Sequence, residues 1–408
     1  MAGWQTIKLS DVVRTNVSTY SLSDNWEFVN YLDTGNIVTN EIALIQRIEL
    51  AQGEKLPSRA RRKVEIGDII YSTVRPNQLH YGFIDNIPEN FLVSTGFAVL
   101  HPEKGKIDAK FLYYLLVQND ITEKLQAIAE QSTSTYPSIK PSDIEDLDFI
   151  VPEIKVQRKI SNILSAIDKK IELNAQINHN LEEQAKAIFK SWFVDFSALE
   201  EQEFFDNNGA IVPAGWEVSC LTNIADYLNG LAMQKYRPDE GDVGYPVLKI
   251  KELRQGMCDR DSERCSTISV KPEYIVHDGD VIFSWSGSLL VDFWCSGDCG
   301  LNQHLFKVTS SKFDKWFYYS WTQYHLHEFI AIAADKATTM GHIKRENLQA
   351  ATVLVPPRPV YNEIGKLLGP IYESIIRNRV EAKRLAQLRD TLLPKLMAGE
   401  IDVSEVEV

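Results

Sequence analysis

Residues 152–196, PEIKVQRKISNILSAIDKKIELNAQINHNLEEQAKAIFKSWFVDF, restrict the possible folds of this chain more than any other stretch. Apolar side chains fall at Ile160, Leu164, Ile167, Ile171, Leu181, Ala185, Ile188 and Trp192, with Asn174 and Asn178 filling the gaps. The steps alternate four and three, which is the heptad seam of a long helix lying along another helix. At 1.5 Å per residue, some 35–40 residues predict a rod of roughly 50–60 Å. A seam of that length needs a partner, and the chain carries one. Ile364, Leu368, Ile371, Ile375, Ala382, Leu385, Leu392 and Leu396 repeat the pattern, and Asn378 falls where Asn174 does. A polar Asn in an apolar seam sets register at some cost in stability. Phe149-Ile150-Val151-Pro152 and Val353-Leu354-Val355-Pro356-Pro357 introduce the two helices alike. Proline fixes its own φ and disfavours helix in the residue before it, so each run reads as a strand-to-helix junction.

The repeat extends beyond the helices. Gly3-Trp4 with Leu9 matches Gly215-Trp216 with Leu221, and EIGDIIYS at 65–72 matches HDGDVIFS at 277–284 with the same offset. Lys110-Phe111-Leu112-Tyr113-Tyr114 matches Lys315-Trp316-Phe317-Tyr318-Tyr319, and Ile139-Lys140 matches Ile343-Lys344. The offsets drift by a few residues, so loops differ in length on a kept scaffold. The predicted class is α+β, with two globular α/β domains separated by two long helices that pack on each other. The first domain takes residues 1–151 and the central helix 152–197. The second domain takes 198–355 with an acidic linker at 197–214, the C-terminal helix 356–398, and an acidic, mobile tail 399–408. Within the first copy, 69–72 and 91–100 read as strands, 108–129 as a helix capped by Asp108, and 131–142 as a loop. Helix 311–333 and loop 335–345 are their counterparts in the second.

The 408 residues are ample for two such domains, and no run of 18 apolar residues suggests a membrane span. The start, MAGWQTIKLS, lacks the charged-then-apolar pattern of a leader and reads as cytoplasmic. Net charge is −13, carried by the two domains while the helical segments are near neutral. Nucleic-acid contacts must therefore come from local basic clusters, with weak and salt-sensitive affinity in the bare chain.

No phosphate loop, GxGxxG, HExxH or GxSxG is present, nor the Asn/Asp-Pro-Pro-Tyr run of an adenine methyltransferase, so no catalytic residues are assigned. Cys258, Cys265, Cys295 and Cys299 offer either a zinc site or plain reduced thiols; their spacing is wider than structural zinc sites prefer. The better candidates are basic and amide side chains on variable loops. Arg59, Arg61, Arg62 and Lys63 precede the Gly67 turn, and Arg75, Asn77, Gln78, His80 and Tyr81 follow the strand after it. In the second copy Lys249, Lys251, Arg254 and Gln255 come before the turn, with Asn302, Gln303 and His304 after it. Arg, Lys, Asn and Gln make bidentate contacts with guanine and adenine edges in the major groove. Tyr136 and Lys140 in the first copy, and Thr338, Thr339 and Lys344 in the second, lie on loops suited to phosphate contacts.

The layout, the opening VPEIKVQRKI at 151–160 and the run ISNILSAIDKKIELN at 160–174 resemble the specificity subunit of type I restriction–modification systems. The second helix departs from that pattern, with Tyr361-Asn362-Glu363-Ile364 replacing the Gln-Arg-Lys-Ile of the first and Arg389 interrupting its seam. The resemblance implies that each domain reads one half of a bipartite site on double-stranded DNA. It implies that the two helices form an antiparallel coiled coil that spaces the readers about one DNA turn apart, roughly 34–36 Å. It also implies two methyltransferase subunits using S-adenosylmethionine, docked on the helices, and a motor-nuclease subunit using ATP and magnesium. No cofactor is implied for this chain itself. A coiled-coil adaptor that never touches DNA, and an enzyme built on the Cys/His set of the second domain, are the alternative readings.

Overall fold

The computed structural model describes residues 3–132, 136–199, 203–207, 210–335, 341–403 and 406. It divides into two compact units, residues 1–169 with 387–408 and residues 170–386, so each long helix contributes one end to each unit. This division differs from the predicted boundaries, which assign each helix whole to a separate segment.

In the first unit an antiparallel pair, Gln5–Lys8 with Asp148–Val151, joins the two ends of the domain. One four-stranded antiparallel sheet runs in the order Val13–Thr15, Phe97–Pro102, Ile69–Ser72, Tyr81–Phe83. A second runs Gln46–Glu49, Phe28–Leu32, Phe91–Ser94, Ala60–Arg62, with its two middle strands parallel. The second unit repeats this order. Glu217–Cys220 pairs with Thr352–Val355. One sheet is Asp226–Asn229, Leu305–Thr309, Val281–Ser284, Leu290–Phe293. The other is Arg264–Cys265, Tyr245–Leu248, Cys299–Leu301, Ile275–Val276, again parallel in the middle. The duplicated sequence is therefore a duplicated sheet topology, mixed α/β as expected.

Local chemistry explains the shared turn. Gly67 and Gly279 have φ of +96° and +85°, a region that only glycine enters freely. The Asp that follows each one accepts a backbone N–H three residues back, from Glu65 at 2.7 Å and from His277 at 2.8 Å. Each carboxylate then meets a cationic or imidazole partner at 2.7 Å, His101 for Asp68 and Lys307 for Asp280. The turn delivers the fully buried strands Ile69–Ser72 and Val281–Ser284 to the middle of their sheets.

The long helices are Ile154–Phe193 and Arg358–Met397. Gln157 accepts the Asp108 N–H at 2.9 Å and donates to the Pro152 carbonyl, tying the start of the long helix to the start of a domain helix. Tyr361 is the departure from the first helix's motif, and its hydroxyl accepts the Asp314 N–H at 2.8 Å. The substitution keeps the bond. In the second unit Asn174 donates to the Asn378 carbonyl at 3.4 Å and to Glu381 at 2.8 Å. Asn178 donates to the Ile375 carbonyl at 3.2 Å, and Asn378 donates to Asn178 at 3.0 Å. Numbers rise on one helix as they fall on the other, so the pair is antiparallel, and the three asparagines form a register-setting layer, with the Asn174 side-chain oxygen buried and without a hydrogen-bond partner among the described residues. Ile364, Leu368 and Ile375 are buried in the second unit with Ile371, Leu181 and Ile188 against them; Ile160 and Leu164 are buried in the first with Leu392 against them. Ile167, Ile171 and Leu385 are half-buried. Arg389 does not interrupt the packing, because it pairs with Asp168 at 2.8 Å within the first unit.

Several expectations need correction. Near its end the central helix buries Phe189 and Phe193, while Ile188 and Trp192 are only half-buried. Segment 91–100 is two strands, Phe91–Ser94 and Phe97–Pro102, and 108–129 is two helices, Ala109–Leu116 and Asn119–Glu130. The linker 197–214 contains a hairpin, Phe204–Asn207 with Ala210–Pro213. The tail is anchored, since Val403 is buried in the first unit's core beside Leu396 and Met397. No helix among the described residues is long and apolar enough to cross a membrane.

Candidate nucleic-acid interface

The same pair of loops meets in both units. In the first, the segment leaving Ile69–Ser72 meets residues 136–140. Ile139 donates its N–H to the Thr73 carbonyl at 2.9 Å, Val74 bridges Ser138, and Arg75 donates its N–H to the Pro137 carbonyl at 3.0 Å. In the second, Ile343 donates to Trp285 at 3.1 Å, Ser286 bridges His342, and Gly287 donates to Gly341 at 2.8 Å. Every one of these six bonding residues has its partner at the repeat offset. The buried hydroxyls of Ser72 and Ser284 turn the chain by donating to the carbonyls two residues on. Identical backbone contacts thus present different side chains.

In the first unit those side chains are Arg75 and Tyr136. The guanidinium lies 5.0 Å from the centre of the Tyr136 ring, and Tyr136 is 57% exposed. Asn77 and Gln78 are exposed beside it on the turn Pro76–Gln78, and the Asn77 N–H donates to Gln126 at 3.2 Å. His80 holds the turn through one ring nitrogen on the Ile37 carbonyl and the other on Gln78. The adjoining hairpin, Ile37–Val38 with Glu41–Ile42, turns on Thr39 and Asn40, whose N–H groups donate to Leu79 and Tyr81. Arg75, Leu79, Thr39 and Asn40 all have φ between +46° and +70°. Four non-glycine residues in the left-handed region, each a position of strain, converge here.

In the second unit the side chains are aromatic. The Trp285 indole N–H donates to Asn229 at 2.9 Å, and its ring centre lies 6.2 Å from that of His304 and 6.3 Å from that of His342. His304 also reaches the Ser286 hydroxyl at 3.1 Å. The sequence reading missed Trp285, Asn229, Ser286 and His342. Aligning Thr73 with Trp285 at the repeat offset would have revealed the first of them.

The remaining candidates separate clearly. Arg59 stays exposed at the strand edge; despite burial, hydrogen bonds from Thr34 and Ser94 and the charge of Arg59 hold Asp33 below the usual carboxylate range. Arg61 is exposed, with its Nε 3.4 Å from the Ser58 carbonyl. Arg254 and Gln255 are exposed at the end of the short helix Ile250–Gln255. Lys140 and Lys344 have exposed side chains and occupy equivalent helix-start positions, where Asp143 and Asn347 accept their N–H groups.

Other candidates are engaged elsewhere. Tyr81 is a core residue stacked on Tyr71, and burial pushes its hydroxyl up to about 12. Lys63 is paired with Asp24 at 2.7 Å and lies over Trp26. Arg62 is half-buried, which lowers its pKa. Lys249 and Lys251 are neutralised by Glu263 at 2.9 Å and Asp259 at 3.0 Å. Asn302 is buried and accepts the His304 N–H at 3.3 Å, while the Gln303 side-chain Oε1 is buried without a hydrogen-bond partner among the described residues. Tyr81 and Asn302 support the loops from beneath, and Lys63, Lys249 and Lys251 are held by acids; sequence spacing alone could not separate them from exposed donors. Thr338 and Thr339 lie outside the described residues.

The cysteines do not converge. Cys258 and Cys299 face each other, Cys295 lies apart with its thiol pushed up to about 12 by burial, and no group of three metal-ligating side chains forms among the described residues. Close approach matters more at Gly230, next to Asn229. A Cβ there would lie 2.2 Å from the Asn302 carbonyl oxygen. Gly230→Ala should cost the second unit about 1–3 kcal/mol by forcing the Asn302 loop outward, read as a lowered thermal midpoint of the purified chain.

The family model for the type I restriction modification DNA specificity domain matches residues 1–183 and 213–388, one copy on each half of the duplication. The chain belongs to this family. As a specificity subunit it is similar to the type I restriction enzyme HindI specificity subunit of Haemophilus influenzae, 25% identical over 98% of this chain and 100% of that one. It is also similar to the MjaIX specificity subunit of Methanocaldococcus jannaschii, 27% identical over 91% and 87%. A solved type I S subunit from M. genitalium shares the fold, with a TM-score of 0.58 at 14% identity over 96% of both chains. The specificity subunit is the non-catalytic member of such a system.

Proposed function

We propose that each unit reads one half of a bipartite double-stranded DNA site, using the paired loops 73–80 with 136–140 and 285–288 with 341–344. One observation carries this reading: a specificity subunit repeats one backbone junction twice and dresses it with unlike side chains. A fixed scaffold with variable exposed donors is what two different half-sites require. Lys140 and Lys344, exposed at equivalent positions, suit phosphate contacts that set register without reading sequence. The acidic balance of the chain requires partners to supply further phosphate contacts, and the relatives' names point to restriction–modification complexes. Two methyltransferase subunits would dock on the helices and use S-adenosylmethionine on an adenine turned out of the stack; a motor-nuclease subunit would use ATP and magnesium. The antiparallel helices would set the spacing between half-sites.

Modification-sensitive sequencing of host DNA, with and without this gene, tests the reading. A gapped two-part motif whose adenine methylation disappears on deletion is the expected result. Methylation that persists unchanged in a host with active modification subunits would refute it.

A further inference from the structure

The proposed function leaves open which side chain commits a unit to which base. Among the basic candidates of the first unit, only Arg75 combines all three of the following properties. Its charge has no carboxylate partner among the described residues, whereas Lys63 is spent on Asp24. Its guanidinium lies over the exposed ring of Tyr136 at 5.0 Å. Stacking uses the face of the planar group and leaves its edge, with the N–H donors in a rigid fork, turned outward. Its backbone is left-handed at φ +47°, where the equivalent residue of the second unit is Gly287 at +66°. The junction needs that conformation in both units, and glycine takes it without strain. An arginine placed there carries a backbone penalty that the scaffold does not require.

We infer that Arg75, preorganised on Tyr136, reads a guanine in the first unit's half-site. The assignment rests on the proposed DNA-reading role and deepens it. A guanidinium fork matches the O6 and N7 acceptors of guanine in the major groove, and no other base presents that pair. The second unit has no counterpart, because Gly287 offers no side chain. Its junction instead presents Trp285 between His304 and His342. The two half-sites are therefore read by different chemistry from one backbone design, a cationic fork on one side and an aromatic and imidazole surface on the other.

The test uses the full chain expressed with its modification subunits, with methylated sites mapped by sequencing. Arg75→Gly is the informative variant, since glycine adopts the required backbone as Gly287 already does and the loop keeps its shape. The expected result is a motif relaxed at a single G·C position of one half-site, with preference there reduced on the order of 10- to 100-fold. Every other position, including the whole second half-site, stays as in the wild type. Tyr136→Ala should weaken the same position, and Tyr136→Phe, which keeps the ring, should leave it intact. An unchanged motif, relaxation at an A·T position, or an equal loss of methylation at all sequences would overturn the assignment while leaving the two-half-site reading in place. A wild-type motif that does not depend on this chain would remove both.

Discussion

Replacing Phe193 with alanine is expected to destabilise the second unit by about 3–5 kcal/mol, the range for deleting a large buried aromatic. Phe193 is 3% exposed near the end of the central helix. Its ring centre lies 4.9 Å from Phe189, 5.4 Å from Trp216 and Trp321, and 6.0 Å from Phe317. Aromatic pairs add to plain area burial, so the cavity left behind is lined by rings that have lost their partner. Trp192 is half-buried beside it, and Trp192→Ala should cost only about 1–2 kcal/mol by the area it covers. Differential scanning calorimetry on both variants decides the matter. A larger loss from Trp192 would mean that the helix presents a different face from the one described.

Arg379→Ala is expected to remove about 2–3 kcal/mol from the same unit. Arg379 donates to Asp292 on the strand Leu290–Phe293 at 2.6 Å and to Glu182 on the central helix at 2.8 Å. Burial opposes its charge, but the two carboxylates outweigh burial and hold its pKa above the ordinary arginine value. The side chain keeps 29% of its surface exposed, so solvent screens part of this interaction. Removing the arginine leaves two acids with no cation between them, the costly way to break an ion pair. Arg379→Ala together with Asp292→Leu and Glu182→Leu should recover much of the loss, because the unpaired charges go too. Chemical denaturation of the single and triple variants measures both. A single variant as stable as the wild type would mean that this arginine does not tie the helices to the sheet.

The duplication and the two long helices were legible because they rest on periodicity and on local signals that recur, while their antiparallel pairing followed from the family resemblance. Asn174 and Asn378, the Gly-Asp turns and the proline junctions each carry their own physical reason. Phe189 and Phe193 were missed for a geometrical reason. A heptad seam assumes that only another helix covers the surface, and near its end the central helix is covered by a domain instead, which rotates the buried face by one residue. The acidic segment 197–214 read as a linker because its hairpin pairs through backbone groups that composition does not report. At the interface, sequence could name basic residues but could not tell Arg75, which is free to donate, from Lys63, Lys249 and Lys251, whose charges are answered by acids distant or hidden on neighbouring turns. Tyr81 and Asn302 failed similarly, because polar residue types that suit base contacts also suit satisfied positions beneath a loop. Trp285 was passed over because an aromatic following a strand reads as core until its neighbours are known.

The central claim is that each unit's loop junction reads its own half of the DNA site. The most direct measurement is the methylation map produced by Trp285→Ala in the full chain with its modification subunits, with Trp285→Phe as the control for packing against Phe306, whose ring centre lies 5.8 Å from that of Trp285. The account predicts that the alanine variant alters base preference in only one half of the gapped motif, and that this is the half Arg75→Gly leaves untouched. Altered preference in both halves, or in the half that depends on Arg75, would contradict it.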